Sequence, residues 1–479
     1  MKKLIFFITF ISLLFHSCGT RKASETEISA IENSLSYSIQ VKNDPQFFNL
    51  QERMAHYKVP GVSIAVVRDG RLHWTKGYGL ANTRTGKEVT TNTLFQAASI
   101  SKPLAALAVL KLAEEGKIDL DKDVNQYLKD YRIPQSKFTE IEKVTPRRLL
   151  THTAGLNVSG FPGYPSKQTI PSTTGILRGE GNTDPVVNDT IPGSRWRYSG
   201  GGYTVLQKLV EDVSGMSFEV YMQEHILDPM GMKESSFEQP LPENKHAMAS
   251  AAYDREGNLI DGDWNNYPEK AAAGLWTTPQ DLARYELEIQ RILKGENGIL
   301  SKATVEKMLT KHESDWGLGP QLRKEGDSLL FQHGGKNAGF TNMFIASAKN
   351  DFGLVVMTNG DNARPLMSEI ITGISEYYDW NVVELQEIEA ASLSSEELQP
   401  LTGTYGRKEL QKPEAEISIK NGRLYLKKLE DNTGYSLIPT DSLEFVEPGT
   451  ERRFLFKKED YDEASSFLLN GQIEFVRME

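Results

Sequence analysis

The sequence predicts a large domain that mixes helices and strands, followed by a small antiparallel β domain. The stretch GVSIAVVRDGRLHWTKGYG has two apolar, β-branched runs around Asp69-Gly70, which is a strong hairpin signal. The chain after Ser99 carries leucines at helical spacing among alanines and indicates a buried helix. Beyond residue 400, ISIKNGRLYLKK and SSFLLNGQIEFVR each place Asn-Gly between alternating apolar residues. Two domains also fit a chain of 479 residues.

The N-terminus has the shape of a secretory signal peptide. Two lysines precede an apolar run, Leu4 to Phe15, that is too short for a comfortable membrane span. The ending FHSC is similar to a bacterial lipoprotein cleavage site, although phenylalanine and histidine stand where leucine and a small residue are usual. We therefore expect residues 1–18 to be a signal peptide and Cys18 to be the lipidated N-terminus of a periplasmic or cell-envelope protein. The alternative is an ordinary signal peptide with an incidental cysteine.

Composition and periodicity predict the next elements in order. Residues 19–43 are polar and serine-rich, which predicts a tether, and a helix is expected from about Asp44 to His56. The helix that begins near Ser99 has Pro103 in its first turn, where the missing N–H costs nothing. Further helices are expected at 203–215 and 217–232, after an N-cap at Thr277 or Thr278, and up to about Val383.

The domain boundaries follow from shifts in composition. Residues 44–386 form the large domain, and residues 157–197 within it are rich in Pro, Gly, Ser and Thr, which indicates a functional surface or a flap. Residues 387–400 are expected to be a linker, and residues 401–479 a small β-rich accessory domain.

Charge and motif content exclude several classes of function. The net charge of -11 argues against nucleic acid or an anionic membrane surface as the main partner, so contact with a membrane is expected through the lipid on Cys18. A lipidated cysteine would leave no thiol for catalysis and no disulfide. The 8 histidines show no helical ligand spacing, so we expect no metal site. Neither a Gly-x-Ser-x-Gly elbow nor a dinucleotide fingerprint is present, and no cofactor is expected.

A nucleophile and its base are predicted at Ser99-Ile-Ser-Lys102. Residues three apart lie on one face of a helix, so Lys102 reaches back beside Ser99, whereas Ser101 points away from that face. A serine hydroxyl is a weak nucleophile until a neighbour takes its proton, so Lys102 must be neutral for part of the cycle. The helix N-terminus also favours an oxyanion at Ser99. Serine is otherwise a common helix cap, and the motif taken alone is weak.

The context of this motif is far more specific. Five segments follow one another in the order found in the serine β-lactamase and penicillin-binding-protein superfamily: FQAASISKPLAALAVLKLAEEGKIDLD, TPRRLLTHTAGL, IPGSRWRYSGGGYTVLQKLVED, AAGLWTTPQDLARY and FQHGGKNAGFTNMFI. The chain from about Asn49 to Asn381 resembles the branch that holds class C β-lactamases, D-Ala-D-Ala carboxypeptidases, D-aminopeptidases and related esterases. The resemblance implies an α/β fold of the β-lactamase/transpeptidase-like type, in which helices flank a central antiparallel sheet and a helical lobe covers the cleft.

The resemblance also implies the roles of three residues. Ser99 would be the acylated nucleophile and Lys102 its hydrogen-bonded partner. Tyr198 matches the tyrosine of the second motif, Tyr-x-Asn, and would shuttle a proton between Ser99, Lys102 and the leaving group. His152, in Leu-Thr-His-Thr-Ala-Gly-Leu, falls in a family landmark that we interpret as structural.

The third motif of the family is usually Lys-Thr-Gly or His-x-Gly, and His333, Gly334 and Gly335 match it. The resemblance places this strand at the edge of the cleft, where His333 would contact substrate or Tyr198. It also implies an oxyanion hole made by the backbone N–H groups of Ser99 and Lys336.

The departures from the family pattern concern substrate recognition. Gly200 stands where β-lactamases keep an asparagine that holds the acyl-amide group, and His333 and Gly334 replace two donors for a substrate carboxylate. A site that lacks these donors has less preference for substrates that carry an acyl-amide or a carboxylate group. We therefore expect a serine hydrolase for small acyl esters, or an amidase or peptidase for D-amino-acid or other small acyl substrates.

Three alternatives stay open. The first is a genuine β-lactamase or D-Ala-D-Ala carboxypeptidase. The second is a non-catalytic envelope protein that binds or senses acyl-peptide ligands with a retained pocket. The third is that the C-terminal β domain binds the true partner and the large domain is its scaffold.

Overall fold

The computed structural model describes residues 23–325, 328–430, 432–458 and 463–478. The predicted signal peptide and Cys18 lie outside these residues. The α-helices are α1 (Glu25–Glu32), α2 (Leu50–His56), α3 (Ser101–Glu114), α4 (Lys137–Ile141), α5 (Pro146–Leu150), α6 (Thr173–Leu177), α7 (Gly200–Ser214), α8 (Phe218–Met222), α9 (Glu243–His246), α10 (Lys270–Ala273), α11 (Pro279–Leu293), α12 (Lys302–Met308), α13 (Ala363–Tyr378) and α14 (Ser395–Leu398). Short 3₁₀ helices span Ala98–Ile100, Val124–Gln126 and Gln399–Leu401, and a π-helix spans Gln223–Leu227.

The strands of the large domain are β1 (Leu35–Ser36), β2 (Ile39–Val41), β3 (Phe47–Phe48), β4 (Gly61–Arg68), β5 (Arg71–Asn82), β6 (Lys87–Glu88), β7 (Phe95–Gln96), β8 (Tyr164–Pro165), β9 (Asn265–Asn266), β10 (Trp276–Thr277), β11 (Gln321–Glu325), β12 (Ser328–Asn337), β13 (Phe340–Ser347), β14 (Gly353–Thr358) and β15 (Gln386–Ile388). Those of the C-terminal domain are β16 (Gly403–Arg407), β17 (Ala415–Lys420), β18 (Arg423–Lys428), β19 (Gly434–Pro439), β20 (Glu444–Glu447), β21 (Arg452–Lys458), β22 (Ala464–Leu469) and β23 (Ile473–Met478).

The centre of the large domain is an antiparallel sheet in the order β11-β12-β13-β14-β4-β5-β6. The predicted hairpin of β4 and β5 is present, and its turn residues Asp69 and Gly70 have φ values of 53° and 69°, as a type I′ turn requires. The pairing of β14 with β4 joins the two ends of the domain into one sheet. The chain between β7 and β11 carries α3 to α12 and forms the helical part of the domain.

Helices cover both faces of this sheet. Successive side chains of β4 point to opposite faces, so each face presents apolar groups against which helices pack. Val62, Ile64 and Val66 pack in one apolar cluster with residues of α1, α2 and α13. Ala65 and Val67 pack in the opposite cluster, with residues of α3 and α11. The α/β fold of the β-lactamase/transpeptidase-like type is thereby confirmed.

Residues 23–43 are not the tether that their polar composition predicts. Ser24 caps α1, and Ile28 and Ile31 of this helix are buried against the sheet domain. β2 then pairs in parallel with β15, so that Ile39 lies opposite Gln386. A few apolar residues at helical and strand spacing are enough to anchor a largely polar segment to the domain.

The start of α2 and the segment 387–400 also differ from the sequence-based prediction. The helix expected from about Asp44 begins later, because Asn49 provides its N-cap and β3 precedes it. The expected linker 387–400 contains the end of β15 and then α14, which Ser394 and Glu397 stabilise with a capping box. The helix capped by Thr278 begins as expected, at Pro279.

The C-terminal domain is a closed antiparallel barrel in which each of β16 to β23 pairs with the next and β23 pairs with β16. Both predicted Asn-Gly turns are present, and Asn421 and Asn470 have φ values of 51° and 52°. The interior is packed with buried aromatic side chains: Tyr405, Phe445, Phe454, Phe456 and Phe467. The small β domain is thereby confirmed.

The barrel contacts the large domain through the segment that was expected to be a tether. Ile39 of β2 packs with Ile438 and Val446 of the barrel. Ser38 donates a hydrogen bond to Glu451. Across the described ranges, no helix combines the length and the apolar character that a bilayer crossing needs.

Candidate active site

Ser99 lies in a 3₁₀ turn between β7 and α3. β10 pairs with β7, with Trp276 opposite Gln96, and this short ladder holds the start of the turn. Ser101 is fully buried; its Oγ donates to the carbonyl of Ala98 at 2.6 Å and accepts from the N–H of Leu275 at 3.0 Å. Ser101 therefore stabilises the turn, and the Ser99 hydroxyl is left to face the cleft.

Lys102 lies one helical turn after Ser99, on the same face, as the spacing predicts. Its Nζ donates to Ser99 Oγ at 3.0 Å and to the carbonyl oxygen of Ala272 in α10 at 2.7 Å. The residue is 2% exposed, and burial lowers the pKa of its ammonium group to about 7. At neutral pH Lys102 can therefore either give or take a proton.

Tyr198 lies just before Ser199, the N-cap of α7, and its side chain reaches Ser99 and Lys102. Its ring centroid is 4.9 Å from Lys102 Nζ. Burial raises the pKa of the Tyr198 phenol above its usual range, and a hydrogen bond with the Ser99 side chain opposes the rise. Ser199, the next residue, caps α7 by accepting from the N–H of Gly202 at 3.0 Å. The structure thus brings the three predicted groups together, although the first two are far from Tyr198 in sequence.

His152 has a larger part in this site than its sequence context indicates. Its Nδ1 accepts from the N–H of Ser199 at 3.1 Å, and its ring lies 4.3 Å from the Tyr198 ring, centroid to centroid. Trp196 and Trp316 pack against it edge-on. Burial and the charge of nearby Lys102 lower the pKa of His152 well below its usual range, so it is neutral. It positions Tyr198, and no local signal in the sequence indicates that contact.

The strand β12 forms the opposite side of the site. The His333 side chain donates from Nδ1 to the carbonyl of Gly334 at 2.6 Å, because a carbonyl can accept but not donate. Burial and the charge of Lys102 lower the pKa of His333 to about 3. A neutral His333 ring therefore lies 6.3 Å from the Tyr198 ring, centroid to centroid.

Gly335 allows β12 to approach the nucleophile turn. A Cβ atom on Gly335 would clash with the carbonyl oxygen of Ala97 and lie 3.4 Å from the Cβ of Ala98. A larger residue at this position would push the turn that holds Ser99 away from the strand. The Lys336 side chain points elsewhere, toward Asp361.

The backbone N–H of Lys336 points to the free edge of β12. Asn337 and Phe340 are paired across the two-residue turn between β12 and β13. In such a hairpin the residues that flank the turn form a hydrogen-bonded pair. In an antiparallel ladder the next pair, here Lys336 and Thr341, directs its N–H groups away from the partner strand. On the other side, β11 pairs with β12 no further than Gln332. The N–H of Lys336 is therefore available beside the Ser99 turn.

Gly200, the remaining predicted site residue, begins α7 and is buried. A side chain at this position would meet Phe161 and Ser159 of a neighbouring loop. Within the described ranges, no three His, Cys, Asp or Glu side chains form a group that could hold a metal ion.

Comparisons with known proteins match the large domain. The family described as Beta-lactamase matches residues 49–376. Protein flp of Staphylococcus aureus (strain MW2) is 24% identical over 337 residues, which are 68% of this chain and 63% of that protein. Esterase EstB of Burkholderia gladioli is 30% identical over 197 residues, which are 39% of this chain and 49% of that protein. The chain thus matches less than two thirds of the length of each of these relatives.

Solved structures share the fold. The octameric penicillin-binding protein homologue from Pyrococcus abyssi has a TM-score of 0.62 at 23% identity, over 89% of this chain and 98% of that one. SurE with D-Leu has a TM-score of 0.56 at 22% identity, over 90% of this chain and 97% of that one. These structures show the fold, and the family match across most of the large domain shows that the chain belongs to the beta-lactamase family, whose members are generally serine hydrolases.

Proposed function

We propose that this protein is a serine hydrolase that forms an acyl-enzyme on Ser99, with small carboxylic esters as its preferred substrates. The observation that carries the proposal is the position of Lys102: its Nζ is buried, 3.0 Å from Ser99 Oγ, with a pKa of about 7. A lysine that is partly neutral at physiological pH can serve as the general base that a serine nucleophile needs. The partial match to an esterase and the glycine at position 200 favour esters over amides.

In the acylation step, neutral Lys102 accepts the proton of the Ser99 hydroxyl while Oγ bonds to the carbonyl carbon of the substrate. The carbonyl oxygen takes up the negative charge, and the N–H groups of Ser99 and Lys336 donate hydrogen bonds to it. Tyr198 relays the proton from Lys102 to the leaving oxygen as the carbon–oxygen bond breaks. The products are the alcohol and an ester on Ser99.

In the deacylation step, water takes the place of the alcohol. It gives a proton to the Tyr198 and Lys102 pair while its oxygen bonds to the acyl carbon. Collapse of the second tetrahedral intermediate breaks the bond to Ser99 Oγ and returns the proton to it. The carboxylic acid leaves, and the neutral site is restored.

A burst experiment tests this proposal. Full-length protein and its Ser99→Ala variant are mixed with p-nitrophenyl acetate, a chromogenic cephalosporin and D-alanyl-p-nitroanilide, and early product release is followed. We expect a burst from the ester that matches the enzyme concentration and is absent in Ser99→Ala, with slower turnover of the two amides. Fast turnover of the cephalosporin would instead favour a β-lactamase. A folded protein that releases product from none of the three, either in a burst or in the steady state, would be a binding protein.

We also propose that Cys18 carries a lipid that holds the protein at the cell envelope. The sequence FHSC supports this proposal. A Cys18→Ser variant that remains in the membrane fraction would contradict it.

A further inference from the structure

The 158–163 loop, Val158 to Gly163, fills the space in front of Gly200 with an aromatic ring. A Cβ atom on Gly200 would lie 2.9 Å from Cε2 of Phe161 and 3.0 Å from the carbonyl oxygen of Ser159. Gly200 follows Tyr198 by two residues at the start of α7. The Phe161 ring therefore takes the space that a side chain at position 200, two residues after Tyr198, would occupy.

Hydrogen bonds fix the first half of this loop to the N-terminus of α7. The N–H of Gly200 donates to the carbonyl of Ser159 at 3.0 Å, and the N–H of Gly201 donates to that of Val158 at 3.1 Å. Ser199 Oγ also donates to the Val158 carbonyl, at 2.9 Å. These bonds hold the loop at a set distance from the helix that carries Tyr198.

Tyr267 fixes the second half of the loop to the other side of the site. Its buried ring fills the space beside Gly163, and its hydroxyl donates to the carbonyl of Pro162 at 3.4 Å. The same hydroxyl accepts from the N–H of Ala338, in the turn between β12 and β13, at 3.0 Å. Tyr267 therefore links the 158–163 loop to the turn that follows the strand bearing Lys336.

A loop fixed in this way suits the acyl group of an ester better than its leaving alcohol. The leaving alcohol departs and water enters along the same path, so the side of Ser99 that serves them must stay open to solvent. The acyl group stays bonded to Ser99 between the two steps and gains from a fixed surface. Phe161 is partly buried against the main core and presents hydrocarbon, which binds apolar groups and leaves a polar amide without partners.

We propose that Phe161 forms the wall of the acyl-binding subsite and selects substrates whose acyl group is a hydrocarbon over those with an amide next to the reacting carbonyl. The proposal rests on the proposed function in taking Ser99 as the atom that becomes acylated. It adds a specificity-determining residue and a substrate class, esters of short aliphatic or aromatic acids.

Boronic acids test the subsite without turnover. Boron bonds reversibly to the serine oxygen in place of the carbonyl carbon, and its organic substituent takes the place of the acyl side group, with no leaving group present. Dissociation constants of phenylboronic acid and acetamidomethylboronic acid are measured by calorimetry for the parent, Phe161→Leu, Phe161→Ala and Phe161→Ala/Gly200→Asn, each checked for folding by thermal unfolding. We expect the parent and Phe161→Leu to bind phenylboronic acid at least about tenfold more tightly than the amide compound. Phe161→Ala should lower this ratio, and the double variant, which places an amide where the ring was, should lower it by about tenfold or reverse it.

Equal binding of the two compounds by the parent, or the same ratio in parent and Phe161→Ala, would overturn the proposal. Absence of boronate binding by the folded parent would overturn it as well. The proposed function is tested separately. A parent protein that prefers phenylboronic acid but hydrolyses no ester would support the subsite proposal and contradict the proposed esterase activity. A parent protein that hydrolyses esters but binds the two boronic acids equally would support the activity and contradict the subsite proposal. Ser99→Ala should bind neither compound, which shows that both report on this site.

Discussion

Gly335 and Ala97 are in direct contact: the carbonyl oxygen of Ala97 occupies the place that a side chain on Gly335 would take. Gly335 belongs to the strand that presents the Lys336 N–H, and Ala97 leads into the turn that carries Ser99. Their contact therefore sets the distance between the two N–H groups assigned to the oxyanion hole. An oxyanion hole is sensitive to such displacements because its donors must meet one atom.

Gly335→Ala should reduce kcat for ester hydrolysis by about 10²-fold or more, since losing one oxyanion donor typically costs that much. It should also lower the free energy of unfolding by about 1–3 kcal/mol, because the added methyl group overpacks the contact. Steady-state kinetics and urea unfolding measure the two effects. Gly334→Ala is the matched control for stability, because its Cβ would meet nothing closer than 3.8 Å. Equal stability losses in the two variants would contradict this account.

The rate of acylation should depend on pH through Lys102. Because Lys102 must be neutral to accept the serine proton, the burst rate should rise as pH increases through about 7 and level off above it. His333, with a pKa of about 3, stays neutral over this range and adds no limb to the profile. Stopped-flow bursts with a neutral ester between pH 5 and 9 provide the measurement. A rate that falls with pH would show that the charged lysine is the active form.

The buried lysine should also cost stability, and the cost should depend on pH. Its folded pKa of about 7 is below its unfolded value of about 10.4, so the unfolded chain binds more protons between these values and stability rises with pH. The cost is full below pH 7 and disappears above about pH 10.4. From pH 6 to pH 9 the parent should gain about 2–3 kcal/mol relative to Lys102→Met, which lacks the titrating group.

Urea unfolding of both proteins at pH 6 and pH 9 tests this linkage. Lys102→Met should be the more stable protein at pH 6, and inactive at both pH values. A stability difference that is the same at the two pH values would contradict a lowered lysine pKa in the folded state.

The helices α2 and α13 meet at a buried ion pair between Arg53 and Glu369. Arg53 donates to Glu369 from Nε at 2.7 Å, and Tyr57 donates to the same carboxylate at 2.6 Å. Arg53→Met would leave Glu369 buried without its cation, so we expect a loss of about 3–5 kcal/mol in the free energy of unfolding. Replacing both residues with Met should recover much of it. A double variant as unstable as Arg53→Met would show that lost packing, and not the unpaired charge, causes the loss.

The features that the sequence predicts correctly are those set by residues close together in the chain. The Asp69-Gly70, Asn421-Gly422 and Asn470-Gly471 turns, and the helix after Ser99, depend on residues that are neighbours in the chain. The pairing of β2 with β15 joins distant parts of the chain, and a polar composition gives no sign of it. For that reason composition alone does not predict the structure of residues 23–43.

The same distinction applies to the candidate site. Ser99 and Lys102 follow from helical spacing, whereas Tyr198 and His333 could be placed beside them through family resemblance alone. Neither route indicates that His152 supports Tyr198 or that Phe161 covers Gly200. Those contacts arise between loops whose approach depends on the whole fold.

Acylation of Ser99 is tested most directly by the mass of the intact protein after brief exposure to an activated ester. The protein without residues 1–18 is quenched in acid within the burst, and the adduct is located by peptide mapping. We expect one acyl group per chain on Ser99, absent in Ser99→Ala and strongly reduced in Lys102→Met. An adduct on another residue, or the same adduct in Ser99→Ala, would contradict it.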